Sequence, residues 1–202
     1  MSINTATTLD RHSTEPVFRA GEIGPLWRLQ EGLVRLDRQH GGGQQAVQLA
    51  LPGDLIGVEA LCGEPYQFSA IAFTPCRLER VRVEARSGVR EPLLQQVLLQ
   101  HQTRCLDMAA LRTGTVPQRI AHLLRLLGFD RQAVTRDCDD CARLIRQSLP
   151  TLREVAHMVD AKTETVCRAL AQLLPPRHDR SDARAPVDRC WRNNAVRIEA
   201  LV

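Results

Sequence analysis

The chain has 202 residues, 44% of them hydrophobic and 25% charged, with a formal net charge of +4. That length can bury a real core in one large domain or two small ones, and so mild a positive charge admits an acidic partner such as nucleic acid without requiring one. There is no run of 18 apolar residues, which excludes a membrane-spanning helix, and the seven cysteines, an odd number, argue for free thiols rather than a disulfide framework.

The opening stretch, MSINTATTLDRHSTEP, has neither a basic start nor an apolar core. It is not a secretory signal and reads as a disordered tail over residues 1–16, with the cytoplasm as the expected location. Residues 17 to about 84 carry short apolar and β-branched runs, LWRL, LVRL, AVQLAL, LIGV, SAIAF and LERV, divided by Gly or Pro turns. Short strands with a turn every ten residues or so predict a small barrel or roll over residues 17–88.

The pattern changes after Ser87-Gly88. From Arg90 to Arg112 there is no glycine, and Pro92 is expected in the first turn of a helix, where it is tolerated. Leu94, Val97, Leu98, His101, Cys105, Met108 and Leu111 recur at steps of three and four, which predicts one long helix, bounded at 89–113, with an apolar stripe. At about 23 residues it would be ~35 Å long, more than a small roll needs. A helix pair between two subunits is the better use of the stripe, with Leu94, Leu98, His101, Cys105 and Met108 as its contacts.

Residues 114–202 read as a third unit. Val116 to Leu127 forms a helix closed by Gly128 in the C-cap position, and residues 129–150 read as a polar insertion or loop with at most one helical turn. Thr151 to Glu154 spells T-x-x-E, a capping box. Leu152, Val155, Ala156 and Val159 then share one face. After a break at Asp160 to Lys162, Val166, Ala169, Leu170 and Leu173 share another. Two helices joined this tightly must cross steeply, as in a helix-turn-helix. The start of the second helix, Thr163, Glu164, Thr165, Cys167 and Arg168, preceded by Lys162, would then point outward. Residues 175–188 read as a loop, and RCWRNNAVRI as a hairpin turning at Asn193-Asn194.

The outward cluster suits base reading. Arg bonds guanine O6 and N7 in bidentate fashion, and Glu accepts from the cytosine N4 amino group. Four apart on a helix, Glu164 and Arg168 lie on one face. The competing explanation is an ordinary surface pair, worth only ~0.2–0.5 kcal/mol. The capping box, the tight turn and the following hairpin favour base reading.

These features resemble the Crp/Fnr superfamily of bacterial transcription regulators. ETVCRAL at 164–170 is similar to its E-T-V-S-R-x-L recognition helix, and LPGDLIG at 51–57 to the P-G-D-x-x-G turn of its effector domain. The order of roll, long helix and winged helix matches from about residue 17 to 202. The segments LWRLQEGLVRL, LPGDLIGVEAL and LRTGTVPQRIAHLL look closest to the LdrP/SdrP-like branch, whose members act without a known small effector. The resemblance implies an α+β fold: a cyclic-nucleotide-binding-like β-roll, a long dimerisation helix and a C-terminal winged helix-turn-helix. It also implies an activator that touches RNA polymerase. Two departures lie in the turn, where Asp160 replaces the usual Gly and Lys162 the usual Ser. A third lies in the phosphate cassette, where Phe68-Ser69-Ala70 stands for the R-S-A or R-T-A of the cyclic-nucleotide branch. Without that Arg the anion has no fixed counter-charge, so the pocket over Glu59, Phe68, Ser69 and Ala70 reads as vestigial and cyclic AMP binding is not expected.

Oxygen-sensing members of the superfamily hold an iron–sulfur cluster through N-terminal cysteines plus one in the roll, near Cys76 here. No Cys precedes Cys62, so the four thiolates such a cluster needs are lacking, and Cys76 reads as a small buried hydrophobe. Cys138 and Cys141 form a lone C-x-x-C, the low-ranking candidate for zinc or a redox pair. A zinc site needs two further ligands, which Cys105, Cys167, Cys190, His157 or His178 supply only if folding gathers them. Cys167 most simply replaces the family Ser, although its oxidation could block DNA contact. No G-x-S-x-G, P-loop or H-E-x-x-H is present, so an enzyme is not expected. The expected function is thus a homodimeric regulator that binds double-stranded DNA, with no cofactor. The rivals are a cysteine-based metal, Fe–S or redox sensor of the same fold, and a ligand-binding roll that no longer reads DNA.

Overall fold

The computed structural model describes residues 7–83, 87–129 and 145–174. Strands come first: β1 (Thr8–Arg11), β2 (Pro16–Phe18), β3 (Leu26–Glu31), β4 (Val34–His40), β5 (Gly43–Ala50), β6 (Leu55–Ile56), β7 (Ser69–Ala72) and β8 (Cys76–Val81). They build two antiparallel sheets of four strands each, β1-β8-β3-β6 and β2-β7-β4-β5. Period-two alternation turns Leu29, Val34, Leu36, Ala50, Ala72 and Leu78 into the space between the sheets. The Gly- and Pro-punctuated pattern therefore gives the expected roll.

Strand β1 lies inside the stretch expected to be disordered. Its backbone pairs with β8, Leu9 opposite Leu78, and Leu9 packs on the roll core. The expectation followed the polarity of the side chains. What orders this segment is the open edge of β8, which offers main-chain donors and acceptors to any strand laid beside it.

Helix α1 (Ser87–Arg112) has 26 residues, which makes it ~39 Å long. It starts two residues before the expected bound at 89, which puts Pro92 in the second turn, where the helix forgoes the one backbone bond that residue would donate. The anticipated stripe divides between two directions. Leu93, Val97 and Leu111 face the protein, whereas Leu94, Leu98, His101 and Cys105 face outward. Met108 is half-buried and packs on the core of the helical unit. Polar contacts fix the inner face. The Leu55 N–H donates to Gln100 Oε1 and Gln100 Nε2 donates to the Leu55 carbonyl, both at 2.8 Å. Arg104 Nε donates to Asp54 at 2.7 Å and the same guanidinium pairs with Asp107. Burial raises the Asp54 carboxyl pKa above its ordinary value, and the Arg104 hydrogen bond offsets only part of that.

Helix α2 (Val116–Leu126) begins at the N-cap Thr115 and ends at Gly128, which has φ +85°. Gly128 N–H donates to the Arg125 carbonyl and Phe129 N–H to the Leu124 carbonyl, both at 2.9 Å, a Schellman closure. Residues 145–148 are helical, and Ile145 is buried; helices α3 (Leu152–Met158) and α4 (Thr163–Leu173) follow. The three-unit division by residue number misses one feature. Leu33, Ala46, Leu49 and Phe73 of the roll belong to the same buried cluster as Leu111, Ile120, Leu123, Val155 and Val166. The helical unit sits directly on the outer face of the β4–β5 sheet. The expected hairpin at 189–198 and the C-x-x-C at Cys138 and Cys141 lie outside the described residues.

Candidate nucleic-acid interface

Helices α3 and α4 are joined by Val159 to Lys162. Thr151 caps α3 by accepting from the Glu154 N–H at 3.3 Å. The other half of the expected capping box is not made. The Glu154 carboxylate instead pairs with Arg35 on β4, whose Nε donates to both Asp37 carboxylate oxygens at 2.8 and 3.0 Å. Alternation along β4 puts Arg35 and Asp37 on the sheet face away from the roll core, a face that usually meets water. Here they are 4% and 1% exposed because the helical unit covers them. A buried charge is tolerable only when paired, and Arg35 has two carboxylates.

The turn itself closes α3 in the left-handed manner. Asp160 has φ +49°, and Ala161 N–H donates to the Ala156 carbonyl at 3.0 Å. Asp adopts that conformation more readily than most residues, so a chain without glycine there still makes the bend. Lys162 occupies the N-cap of α4 and supplies no side-chain bond to it. Val166, Ala169 and Leu170 are buried against the rest of the unit. Thr163, Glu164, Thr165, Cys167 and Arg168, with Lys162, are all exposed. This is the face predicted from their spacing. Neither Glu164 nor Arg168 makes a side-chain hydrogen bond or ion pair with another described residue. The ordinary surface pair that competed with base reading is therefore not formed.

Sequence reasoning missed Arg119. This α2 side chain donates from Nη1 to the carbonyls of Val159 and Asp160, at 3.1 and 3.2 Å, and from Nε to the Gly114 carbonyl at 3.0 Å. It lies in QRIAHLL, where the apolar periodicity drew attention and the intervening Arg looked solvated. A polar residue on α2 facing a turn that lacks its glycine was the available signal. Arg153, in the first turn of α3, is a further exposed cation that the pattern did not single out.

In the roll, the residues of the anticipated effector pocket are occupied internally. The Ala20 N–H donates to Ser69 Oγ at 3.1 Å, and the Gln67 N–H to Glu59 Oε1 at 2.8 Å. Ala70 is buried and Phe68 packs on the roll core. Tyr66, which sequence reading passed over, stacks on Phe18 with centroids 3.9 Å apart and donates its hydroxyl to the Pro25 carbonyl at 2.6 Å. A Cβ on Gly57, which has φ +68°, would meet the Tyr66 ring at 2.6 Å, so glycine is required both for the turn and for the space the ring fills.

Cys76 is buried, and burial pushes its thiol pKa up to about 11. It behaves as the small hydrophobe the sequence suggested. Cys62, Cys105 and Cys167 are exposed free thiols. Among the described residues no group of three or more His, Cys, Asp or Glu side chains converges as a metal site, and no helix is long and apolar enough to cross a membrane.

A family model described as a cyclic nucleotide-binding domain matches residues 12–86. Over 158 residues the chain is 29% identical to the transcriptional regulator LdrP of Thermus thermophilus, an alignment covering 77% of this chain and 78% of that protein. A solved CRP-family transcriptional regulator from Thermus thermophilus is similar at 27% identity and a TM-score of 0.60, over 82% of this chain and 83% of its own. FixK2 from Bradyrhizobium japonicum, at 23% identity and a TM-score of 0.59 over 84% of each chain, shares the fold.

Proposed function

We propose that this chain, which is similar to regulators of the Crp/Fnr type, acts in the cytoplasm as a homodimer that binds a pseudo-palindromic DNA site and activates transcription. The observation that carries this reading is the exposed and unpaired state of Glu164 and Arg168, four residues apart on α4. A guanidinium and a carboxylate held out to solvent, with no partner among the described residues, are ready for a guanine and for a cytosine amino group in a major groove. Lys162, Thr163 and Thr165 at the helix start suit phosphate, where they position the helix without specifying sequence.

The dimer is built on the outward face of α1. Leu94, Leu98, His101 and Cys105 follow a four-three-four spacing there, the geometry of a two-helix seam. A two-fold axis along that seam sets the two α4 helices on half-sites about one helical turn apart, ~10–11 base pairs between centres. Cyclic AMP is not required: Phe68 stands where a phosphate-pairing Arg is expected, and Glu59 and Ser69 already have partners in the chain. Contact with RNA polymerase belongs to the same proposal and follows from the family alone.

A second reading, a redox-gated form of the same regulator, is favoured by one observation. Cys167 is an exposed free thiol on the reading face, where oxidation would add bulk and charge against DNA. One experiment addresses both. Wild-type protein, reduced or treated with peroxide, is used to enrich duplexes from a random-sequence pool. A two-fold symmetric motif under reducing conditions supports the main reading, and its loss only after peroxide supports the gated form. No enrichment in either state refutes both.

A further inference from the structure

We propose that Arg119 is the positioning residue for base reading: from α2 it clamps the α3–α4 turn and so sets the angle at which α4 is presented. The proposal rests on the DNA-binding reading above. Three bonds define the clamp, two from Nη1 to the Val159 and Asp160 carbonyls and one from Nε to Gly114. Val159 is the C-cap of α3, and Asp160 is the left-handed residue after it. The last carbonyls of a helix lack partners within it. Here a single charged donor meets two neighbouring ones, and a charged donor makes the stronger kind of hydrogen bond.

The geometry explains how the turn tolerates its side chain. A residue other than glycine at φ +49° stores backbone strain that its surroundings must hold in place. Arg119 grips the carbonyl on each side of the Asp160 N–Cα bond, so it restrains the peptide planes that define that φ. Its third bond reaches Gly114, at φ +83° in the link between α1 and α2. The guanidinium therefore ties the long helix's exit to the turn that aims α4. Lysine keeps the charge but lacks the planar fork needed to satisfy three carbonyls together.

The test compares full-length Arg119→Ala, Arg119→Lys, Asp160→Gly and the double variant Arg119→Ala/Asp160→Gly with wild type. Binding is measured on the duplex that wild type enriches from a random pool and on a scrambled duplex of equal length. Amide exchange is followed at Ala161 and Val166, whose N–H groups bond to Ala156 and Lys162. Arg119→Ala should speed exchange at these amides and weaken binding to the enriched duplex by roughly ten-fold, with little change on the scrambled one and an unaltered salt slope. Adding Asp160→Gly removes the strain and should restore most of both losses. If Arg119→Ala fails to fold, Arg119→Lys with and without Asp160→Gly carries the same comparison.

Equal losses on both duplexes with a shallower salt slope would show that Arg119 is a phosphate contact, and overturn the proposal. So would unchanged exchange at the turn, or failure of Asp160→Gly to rescue. If wild type enriches no duplex, the DNA-binding reading fails by itself, while the exchange and rescue data still decide whether Arg119 clamps the turn.

Discussion

Leu98→Asp is predicted to turn the dimer into a monomer at micromolar concentration. Leu98 is 59% exposed on α1, between Leu94 and His101 on the proposed seam. A fully buried Leu side chain is worth about 2 kcal/mol, so the part available for burial contributes about 1.2 kcal/mol per protomer and about 2.4 kcal/mol per dimer. Two aspartates facing each other across a two-fold axis add a repulsion of about 1 kcal/mol even at the dielectric of water. The dimer should therefore dissociate roughly 100- to 1,000-fold more readily. The register has its own control. Leu99 is 64% exposed but lies about 100° further round the helix, outside the four-three-four seam. Leu99→Asp should cost the dimer much less. Light scattering over a concentration series reads both variants. An unchanged Leu98→Asp dimer, or a Leu99→Asp dimer that is the more damaged of the two, would refute the seam.

Arg168→Ala should cost about 1–3 kcal/mol on the enriched site and relax preference at one guanine, as read by titrations on that site and on a guanine-substituted copy. Lys162→Ala should weaken binding to all sequences alike and make the salt slope shallower by about one unit. Calorimetry with cyclic AMP should register no micromolar binding, since Phe68 replaces the expected Arg. With its pKa near 11, Cys76 presents only about one thiolate per thousand molecules at pH 8. A maleimide reagent should accordingly label Cys62 and Cys167 in the native protein and reach Cys76 only after unfolding, as peptide mass analysis would show.

The roll was legible because glycines and prolines separate its apolar runs, and α4 because an outward polar cluster sits opposite a regularly spaced apolar face. What escaped the sequence has a common physical origin in contacts between distant segments. The pairing of β1 depends on an edge of β8 that lies nearly seventy residues away, and no periodicity in TLDR announces it. Glu154 looked like half of a local capping box, yet its carboxylate finds Arg35, a partner 119 residues distant. The spacing along α1 could not reveal that Met108 packs on the core of the helical unit while Leu94 and Leu98 face outward. Tyr66 and Arg119 were passed over for the same reason. Each matters through backbone carbonyls, of Pro25 for one and of the α3–α4 turn for the other, and backbone carbonyls have no signature in sequence.

The buried cluster that runs from Phe73 and Leu49 into Val155 and Val166 bears on how far this protein can be treated as modular. A fragment beginning near residue 114 would carry α4 but strip the cover from the cluster that holds Leu123 and Val155, and would leave Glu154 without its arginine. Grafting that fragment onto another roll would hold α4 in place only if the graft also brought Arg35, Asp37 and the apolar face of β5. The exchangeable unit is thus defined by a surface, not by a cut point in the chain. The roll serves as the floor on which α3 and α4 stand.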